Sequence, residues 1–369
     1  MFLRIGTPAH SRDVSCHQPW GAANNLLQPV LRVHVHDGRE EVAQIEGMVE
    51  LKGRSRNDPY FDLDIRLFQT FQDQCPDWAE RIEESVRMQF SPTSNRPWTT
   101  RDFRSRPAVM GILNVTPDSF YDGGSYLDPV SALRRAEGMI EEGVDIIDVG
   151  GESTRPFSLP VDGKDEASRV VPVIRDVRST TGLTISVDTS KEEVARKALD
   201  AGADMINDVT GLREPGMLAL ASDADVPVVI MHMRGNPTDM QSGIHYDDVV
   251  REVVDELKHS ADRAIEHGVK REHIILDPGI GFGKTARDNL EIVKRLRELR
   301  CLGFPLMVGA SRKSFIGRAL GTDDKKRLEG SLTVASTCMR NGADIVRVHD
   351  VQETIRALQM TDALESLTI

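Results

Sequence analysis

The sequence is poor in aromatic residues and has no apolar run long enough to cross a membrane. Phenylalanine, tyrosine and tryptophan together make up 5% of the 369 residues. A transmembrane helix needs about 20 consecutive apolar residues, and the first residues lack the apolar core of a signal peptide. We therefore expect no membrane partner and a cytoplasmic location.

Cysteine is also scarce. The four cysteines, Cys16, Cys75, Cys301 and Cys338, lie far apart and include no Cys-x-x-Cys pair. Zinc sites and disulfide frameworks usually show closer and more regular spacing. The pattern favours free thiols in a reducing compartment.

Positive charge is in deficit. The chain has 46 Lys and Arg against 58 Asp and Glu, which gives a formal net charge of −12 at pH 7. A nucleic-acid partner requires a basic surface that neutralises phosphates, so this balance argues against one. A local basic pocket can still bind a small anionic substrate.

Residues 1–105 carry no catalytic motif. Residues 31–35 fit a strand, residues 42–51 could pair with it, and residues 78–90 have the apolar spacing of an amphipathic helix. A linker rich in Ser, Pro and Arg follows. We interpret this region as an N-terminal extension or small α+β subdomain of unknown type that precedes a domain at residues 106–369.

The rest of the chain is organised around residues 110–124. The apolar residues 108–113 predict a buried strand that ends at the polar Asn114 and opens into a loop of turn formers. A helix is predicted to begin at Pro129, because Asp128 is a good N-cap and proline suits the first helical position. Asn114 therefore stands at the carboxyl end of a strand.

This strand–loop–helix unit recurs along the chain. Residues 142–149, 201–209 and 341–348 each place a glycine after a helix and then a short apolar strand that ends in polar residues. Counting such strands gives eight, each but the last clearly followed by helical sequence. Eight units over about 260 residues predict an α/β fold, a closed (β/α)8 TIM barrel. A doubly wound open sheet is the alternative.

One helix start has a specific signal. The strand predicted at residues 183–188 ends at Asp188, and Ser190 and Glu193 follow it at the spacing of a capping box. We therefore expect the next helix to begin directly after Ser190.

Polar residues follow every predicted strand. In a TIM barrel the loops after the strands form the active-site face, so these residues should converge there. A single one, such as Asp188, often only caps the next helix, but so many long or charged groups on one face favour a binding site. In chain order they are Asn114, residues 151–156, Asp188, residues 207–208, residues 232–237, residues 277–284, residues 311–314 and residues 347–350.

Three of these side chains, Asp188, Asn207 and Asp277, offer acceptor oxygens. A carboxylate can accept two hydrogen bonds from adjacent N–H groups. The set therefore suits the edge of a flat, NH-rich heterocycle such as a 2-aminopyrimidinone.

A second group suits an anion. Arg155, Arg347 and His349 can bind a phosphate or diphosphate. Asn114 supplies a neutral oxygen, which suits a Mg²⁺ ion that keeps several waters.

A third pattern imitates a nucleotide-binding loop. Gly283, Lys284 and Thr285 match the end of a Walker A motif, but Pro278 stands where its first glycine belongs. We therefore reject a P-loop.

Several motifs resemble those of the dihydropteroate synthases, a pterin-binding TIM-barrel family. MGILNVTPDSF at residues 110–120 and GGESTRP at residues 150–156 resemble two family signatures. Shorter matches are SVDT at 186–189, IND at 206–208, DPG at 277–279, SRKS at 311–314 and RVHD at 347–350.

The resemblance implies a (β/α)8 barrel and a transferase of folate biosynthesis. Such an enzyme joins (7,8-dihydropterin-6-yl)methyl diphosphate to 4-aminobenzoate and releases diphosphate and 7,8-dihydropteroate. The resemblance also implies a homodimer, a bound Mg²⁺ and a sulfonamide target.

Residue roles carried over from the family fall into three groups. The pterin would be bound by Asp188, Asn207, Asp277 and Lys313. The diphosphate would be held by Asn114, which also ligates Mg²⁺, with Arg155, Arg347 and His349. The aminobenzoate pocket would be shaped by Thr154, Pro156, Phe282, Ser311 and Lys313. The expected catalytic residues are Lys313, Arg347, His349 and Arg155. One departure is Phe157, where the family commonly has a small residue.

The expected mechanism is an SN1-like loss of diphosphate. No Ser-His-Asp or Cys-His arrangement recurs at the strand ends, so binding and electrostatics should carry the reaction. Arg347, His349 and Mg²⁺ would stabilise the leaving anion. Two alternatives are a pterin-dependent methyltransferase domain, which has no use for a diphosphate site, and a non-catalytic pterin-binding subunit.

Overall fold

A computed structural model describes most of the chain from residue 106 onward and short segments before it. The described residues are 3–5, 14–17, 30–35, 60–64, 79–80, 106–116, 129–153, 160–235, 240, 243–322 and 326–366. By its internal contacts the chain divides into two compact units, Met1–Pro92 with Arg297–Gly303 and Thr93–Leu296 with Phe304–Ile369. The domain boundary predicted near residue 105 stays a prediction.

The first region contains a small antiparallel sheet. Its strands are β1 (Leu3–Ile5), β2 (Val14–His17), β3 (Val30–Val35) and β4 (Tyr60–Asp64), paired in that order. The strand predicted at residues 31–35 is confirmed as β3. Its predicted partner, residues 42–51, and most of the helix predicted at 78–90 lie outside the described residues.

Eight parallel strands form the second unit. They are β5 (Ala108–Asn114), β6 (Ile146–Gly150), β7 (Thr184–Asp188), β8 (Met205–Asp208), β9 (Val228–Met231), β10 (Ile274–Asp277), β11 (Met307–Val308) and β12 (Ile345–Val348). Their order in the sheet is β10-β9-β8-β7-β6-β5-β12-β11. A parallel bridge between Leu276 and Leu306 joins the two ends. The predicted TIM barrel is confirmed, and the open sheet is excluded.

Helices separate the barrel strands. They are α1 (Pro129–Glu142), α2 (Gly163–Thr180), α3 (Glu192–Asp200), α4 (Pro215–Asp223), α5 (Val249–Glu266), α6 (Ala286–Lys294), α7 (Ser314–Leu320), α8 (Leu328–Arg340) and α9 (Val351–Glu365). Short 3-10 turns cover Arg271–His273 and Leu296–Leu302. Within the described part of the chain, no helix is both long and apolar enough to cross a membrane.

The inside of the barrel is filled with side chains. One cluster takes a buried residue from nearly every strand: Ala108, Met110, Ile146, Met205, Val229, Ile275, Met307 and Ile345. Burial of such aliphatic side chains contributes about 25 cal/mol for each Å² of apolar surface removed from water. The lower barrel is therefore a packed core, and the functional groups lie above it at the strand ends.

The capping box predicted at Ser190 is wrong. Helix α3 begins at Glu192, its N-cap is Lys191, and no side-chain cap bond forms. The Lys191 ammonium instead donates to the carboxylates of Glu152 and Glu166, over 2.6 Å each. These tertiary bonds accompany an extended backbone at Lys191, which delays the helix by one residue.

Candidate active site

The strand register places several polar side chains in one row at the carboxyl rim of the barrel. Asn114 on β5 pairs with Gly150 on β6, Gly150 pairs with Asp188 on β7, and Asp188 pairs with Asn207 on β8. Because equivalent positions of parallel strands lie side by side, the three polar residues share one level of the barrel. The backbone register alone therefore brings these strand ends together, as the sequence predicts.

Gly150 leaves room between two of these side chains. A Cβ atom at this position would lie 3.5 Å from Asp188 Cβ and 3.7 Å from Asn114 Oδ1. The missing side chain therefore lets the Asn114 amide and the Asp188 carboxylate face a common space. Asn114 is half-buried there, whereas Asp188 is buried.

Arg347 on β12 reaches across the barrel to two carboxylates. Its Nε donates to Asp148 Oδ2 and its Nη2 donates to Asp188 Oδ2, each over 2.6 Å. The same Asp148 oxygen accepts a 3.1 Å bond from Asn207 Nδ2. Asp148 thus orients both the guanidinium and the amide of the predicted site.

Asp148 is a site residue that the sequence reasoning missed. It lies in the middle of β6 and not at its end, and its side chain is fully buried. A signal was available, because a carboxylate inside a strand of Ile, Val and Gly is rare unless it is paired. Its interior position shows that the polar site extends one level below the rim.

Three buried oxygens of this cluster have no hydrogen-bond partner among the described residues. They are Asp148 Oδ1, Asp188 Oδ1 and Ser186 Oγ. A buried polar atom without a partner costs about 1–3 kcal/mol. Two of the atoms are carboxylate acceptors, so the cluster is set to receive N–H donors from a ligand.

Asp277 faces Arg347 across the gap left by Gly309. A Cβ atom at Gly309 would lie 3.8 Å from Arg347 Cβ and 3.9 Å from Asp277 Oδ2. The other carboxylate oxygen, Oδ1, accepts a 2.7 Å bond from the Gly279 N–H. One oxygen of Asp277 is therefore fixed by backbone, while the other borders the space at Gly309 that Arg347 also borders.

Lys313 lies beside the loop that follows β10. Its ammonium donates to the Ile280 carbonyl and lies 4.6 Å from the centroid of the Phe282 ring. An ammonium over an aromatic face is attracted by the ring quadrupole. Lys313 and Phe282, both predicted site residues, are therefore in contact.

Ser311 and His349 form a second predicted pair. Ser311 Oγ lies 3.1 Å from His349 Nδ1 and accepts a 3.2 Å bond from the His349 N–H. The contact fixes the imidazole plane at the end of β12. The remaining predicted site residues, Thr154, Arg155 and Pro156, lie outside the described residues.

Burial and charge shift the pKa values of the central groups. Burial raises the pKa of Asp188 to about 7, although Arg347 opposes the shift. Burial also raises the pKa of Asp277, and Lys313 opposes that shift. Burial lowers the pKa of the Lys313 ammonium to about 8. For Arg347, burial acts to lower the pKa, but Asp148 and Asp188 outweigh it and raise the value.

These shifts place two groups near neutral pH at one rim. Titratable groups with strongly perturbed pKa values often mark functional sites. Burial raises the pKa of Asp188 toward neutral pH and lowers the pKa of Lys313 toward it. The rim therefore combines buried acceptor oxygens, a guanidinium held by two carboxylates and a lysine whose pKa is lowered toward neutral pH.

Comparison with known proteins places the chain in a family. The sequence model described as "Pterin binding enzyme" matches residues 110–349. A dihydropteroate synthase of Synechocystis sp. is 47% identical over 268 residues, which cover 72% of this chain and 93% of that protein.

Two solved structures have the same barrel. The Yersinia pestis dihydropteroate synthase with a sulfonamide drug superposes with a TM-score of 0.71 at 42% identity, covering 74% of this chain and 99% of that one. The Xanthomonas albilineans dihydropteroate synthase in complex with 7,8-dihydropteroate gives a TM-score of 0.65 at 42% identity, with 71% and 95% covered. The barrel, its rim of acceptors and these similarities together lead to one assignment: the chain belongs to the dihydropteroate synthase family of pterin-binding transferases.

Proposed function

We propose that this protein condenses (7,8-dihydropterin-6-yl)methyl diphosphate with 4-aminobenzoate and releases 7,8-dihydropteroate and diphosphate. The observation that carries the proposal is the group of buried carboxylates at the barrel rim, among them Asp188, whose Oδ1 has no partner in the described chain. A bound 7,8-dihydropteroate in a relative 42% identical over the same barrel supports it.

The pterin is bound at the bottom of the rim. Asp188 Oδ1 is free to accept from a ring N–H or from the amino group, while Oδ2 accepts from Arg347. Asp277 and Asn207 add acceptor oxygens, and Lys313 adds a donor. Asp148 does not contact the pterin in this proposal. It orients Arg347 and Asn207, which do contact the substrate.

The diphosphate is held by Arg347 and His349, with Arg155 added by resemblance. Arg347 uses Nε and Nη2 for the buried carboxylates, which leaves Nη1 for an anion above them. His349, fixed by Ser311, adds a second polar contact. A guanidinium suits phosphate oxygens because its donors lie in one plane.

Asn114 is the residue that would hold Mg²⁺. No group of three or more acidic, histidine or cysteine side chains among the described residues could bind a metal, so a metal here relies on water and substrate oxygens. Mg²⁺ usually binds in this way, and the exposed edge of Asn114 fits such a site. When bound, the ion would neutralise charge on the leaving diphosphate.

The aminobenzoate is placed against Phe282, Ser311 and Lys313, with Thr154 and Pro156 as further walls by resemblance. The Phe282 ring offers a flat apolar face, and aromatic pairs gain about 0.5–1.5 kcal/mol beyond area burial. The Lys313 ammonium, above that ring, offsets the carboxylate of the substrate.

The chemical step is SN1-like. The bond between the methylene carbon and the diphosphate oxygen breaks, and the diphosphate leaves with the electron pair. Asp188 and Asp277 lie near the pterin and stabilise the positive charge delocalised into its ring. The lone pair of the aromatic amine then forms the carbon–nitrogen bond, and the amine loses one proton to solvent.

One assay separates the proposal from its alternatives. The protein is supplied with the pterin diphosphate, with and without 4-aminobenzoate, and diphosphate release is measured. The synthase releases diphosphate faster with the amine present. A methyltransferase domain or a non-catalytic subunit binds the pterin and releases none.

We also propose a homodimer and a cytoplasmic location. A homodimer is supported by the exposed apolar side chains of Leu320, Met360 and Leu364 on α7 and α9, which a second copy could cover. A cytoplasmic location is supported by Cys338, which is a buried free thiol, as expected in a reducing compartment.

A further inference from the structure

The loop after β10 contributes two contacts to the predicted catalytic lysine. The Ile280 carbonyl accepts a hydrogen bond from Lys313 Nζ, and the Phe282 ring lies beneath the same ammonium at 4.6 Å. The position of the Lys313 head group therefore depends on the path of residues 280–282. A shift of that path would move both the ring and the ammonium.

Side chains hold much of this loop in place. Gly279, Gly281 and Gly283 all take left-handed φ values, of +65°, +87° and +63°. Asn289 Oδ1 accepts from the Gly281 N–H over 2.6 Å, and the Tyr246 hydroxyl donates to the Gly283 carbonyl over 2.9 Å. Between these two braces the Phe282 carbonyl also needs a partner.

Lys284 supplies that partner. Its Nζ donates to the Phe282 carbonyl over 3.0 Å, and the side chain is almost completely buried. A buried ammonium costs more free energy than an aliphatic side chain in the same space. Filling the space therefore does not explain the residue, whereas its hydrogen bonds do.

A chain of hydrogen bonds continues behind Lys284. Its Nζ lies 2.8 Å from His232 Nδ1, and His232 Nε2 lies 2.9 Å from Glu256 Oε2. An ammonium has only donors, so the imidazole accepts at Nδ1 and donates from Nε2 to the carboxylate. Arg234 closes the chain by donating to Glu256 Oε1 over 2.9 Å.

The electrostatics agree with a neutral imidazole. Burial, together with the Lys284 charge, lowers the pKa of His232 to about 4. Burial lowers the pKa of Lys284 to about 7, while Asp277 opposes the shift. Hydrogen bonds from His232 and Arg234 lower the pKa of Glu256 to about 2 against the effect of burial.

We propose that Lys284 is a positioning residue for the aminobenzoate subsite, which holds the Phe282 carbonyl and is itself held by His232 and Glu256. Its effect on the substrate passes through the Phe282 ring and the Lys313 ammonium above it. This role rests on the proposed synthase function, because it assigns an effect to one of that reaction's two substrates. It also gives a function to the lysine of the GKT triplet that is not a P-loop.

The test is a kinetic comparison of Lys284→Met with Tyr246→Phe in the full chain. Met has similar length and no donor, so we expect the KM for 4-aminobenzoate to rise about tenfold, with a smaller change in kcat and in the KM for the pterin diphosphate, which Lys313 also contacts. Tyr246→Phe removes the neighbouring brace at Gly283 and leaves the Phe282 bond, so its KM for 4-aminobenzoate should change less than about twofold. An unchanged KM in Lys284→Met, or an equal rise in both variants, overturns the proposal.

A second measurement tests the proposal even if Lys284→Met fails to fold. In wild-type protein labelled with ¹⁵N-histidine, His232 should remain the neutral Nε2–H tautomer down to about pH 5. A His232 imidazole that titrates near the ordinary histidine pKa of about 6.5 contradicts the hydrogen-bond chain behind Lys284, and with it the proposal. If wild-type protein forms no dihydropteroate, the proposed synthase function is wrong. The histidine spectrum still tests the hydrogen bonds among Lys284, His232 and Glu256 independently.

Discussion

Arg347 Nε and Asp148 Oδ2 lie 2.6 Å apart inside the barrel, one level below the rim. The Asp148 side chain is fully buried, whereas Arg347 is only partly buried. The pair therefore anchors a guanidinium that reaches from the core toward the site. Removing one partner of a buried ion pair leaves an uncompensated charge, so the pair should be sensitive to single substitutions.

We expect Asp148→Asn to lower kcat/KM for the pterin diphosphate. The substitution keeps the shape of the side chain but removes the charge that orients Arg347 and Asn207. A hydrogen bond to a charged group contributes about 1.5–3 kcal/mol, which corresponds to a loss of about 10- to 150-fold. Steady-state kinetics at varied concentrations of the pterin diphosphate would measure this loss of kcat/KM.

Asp145→Asn is the matched control for that experiment. Asp145 is also a buried aspartate paired with an arginine, since it accepts from Arg106 Nη1 over 2.6 Å. It precedes β6 and so lies at the opposite end of the strand from the rim. We expect lower stability and unchanged kcat/KM. Equal kinetic losses in the two variants would mean that Asp148 acts only on stability.

Pterin affinity should depend on pH through Asp188. Its pKa is raised to about 7 in the ligand-free protein, and N–H donors from a pterin favour the ionised form, so binding releases a proton. Affinity should therefore fall about fivefold between pH 7 and pH 6 and rise about 1.5-fold from pH 7 to 7.5. Titration calorimetry would measure this affinity at each pH. A pterin that lacks the diphosphate is used, so that the charge of the diphosphate does not add its own pH dependence.

Asp188→Asn checks the origin of this pH dependence. The amide cannot ionise, so affinity should be lower at pH 7 and nearly constant between pH 6 and 7. A dependence as steep as in the wild-type protein would assign the titration to another group, with Asp277 the nearest candidate because burial also raises its pKa.

Arg347→Ala should reduce kcat about a hundredfold or more. A preorganised donor or charge at the position of a developing anion contributes about 2.7–4 kcal/mol to the barrier, and Arg347 combines both. Diphosphate release under saturating substrates measures the loss. Arg340→Ala is the control, because Arg340 is an exposed arginine that pairs with Glu365 on the outer helices and should leave kcat unchanged. Full turnover in Arg347→Ala would remove it from the mechanism.

Asn114 should determine the Mg²⁺ requirement. If its amide oxygen is a ligand, Asn114→Ala should raise the Mg²⁺ concentration for half-maximal activity about tenfold, in the range reported for loss of a metal-site interaction. Activity titrated against Mg²⁺ after chelation measures the shift. An unchanged midpoint would show that the ion is held by substrate and water alone.

Much of the fold could be predicted from the sequence because the barrel repeats one simple pattern. Apolar strands buried on both faces, glycines at the ends of helices and polar residues after each strand identify the units. The row formed by Asn114, Asp188 and Asn207 follows from strand register, and it was predictable once the strands were recognised.

The parts that could not be predicted depend on contacts between distant residues. The sequence signals a buried carboxylate at Asp148, but not its partners Arg347 and Asn207, which are 199 and 59 residues away. Helix α3 starts after Lys191, whose ammonium binds the distant carboxylates of Glu152 and Glu166. Lys284 resembles part of a phosphate-binding motif, and its bonds to the Phe282 carbonyl and to His232, 52 residues away, are visible only in the folded chain.

The most direct test of the central claim is a product assay on the full-length protein. Purified chain, (7,8-dihydropterin-6-yl)methyl diphosphate, 4-aminobenzoate and Mg²⁺ are incubated, and diphosphate and 7,8-dihydropteroate are quantified together. We predict equal molar amounts of both products, and loss of both in Arg347→Ala. Pterin binding without either product would contradict the assignment of this rim as a synthase site.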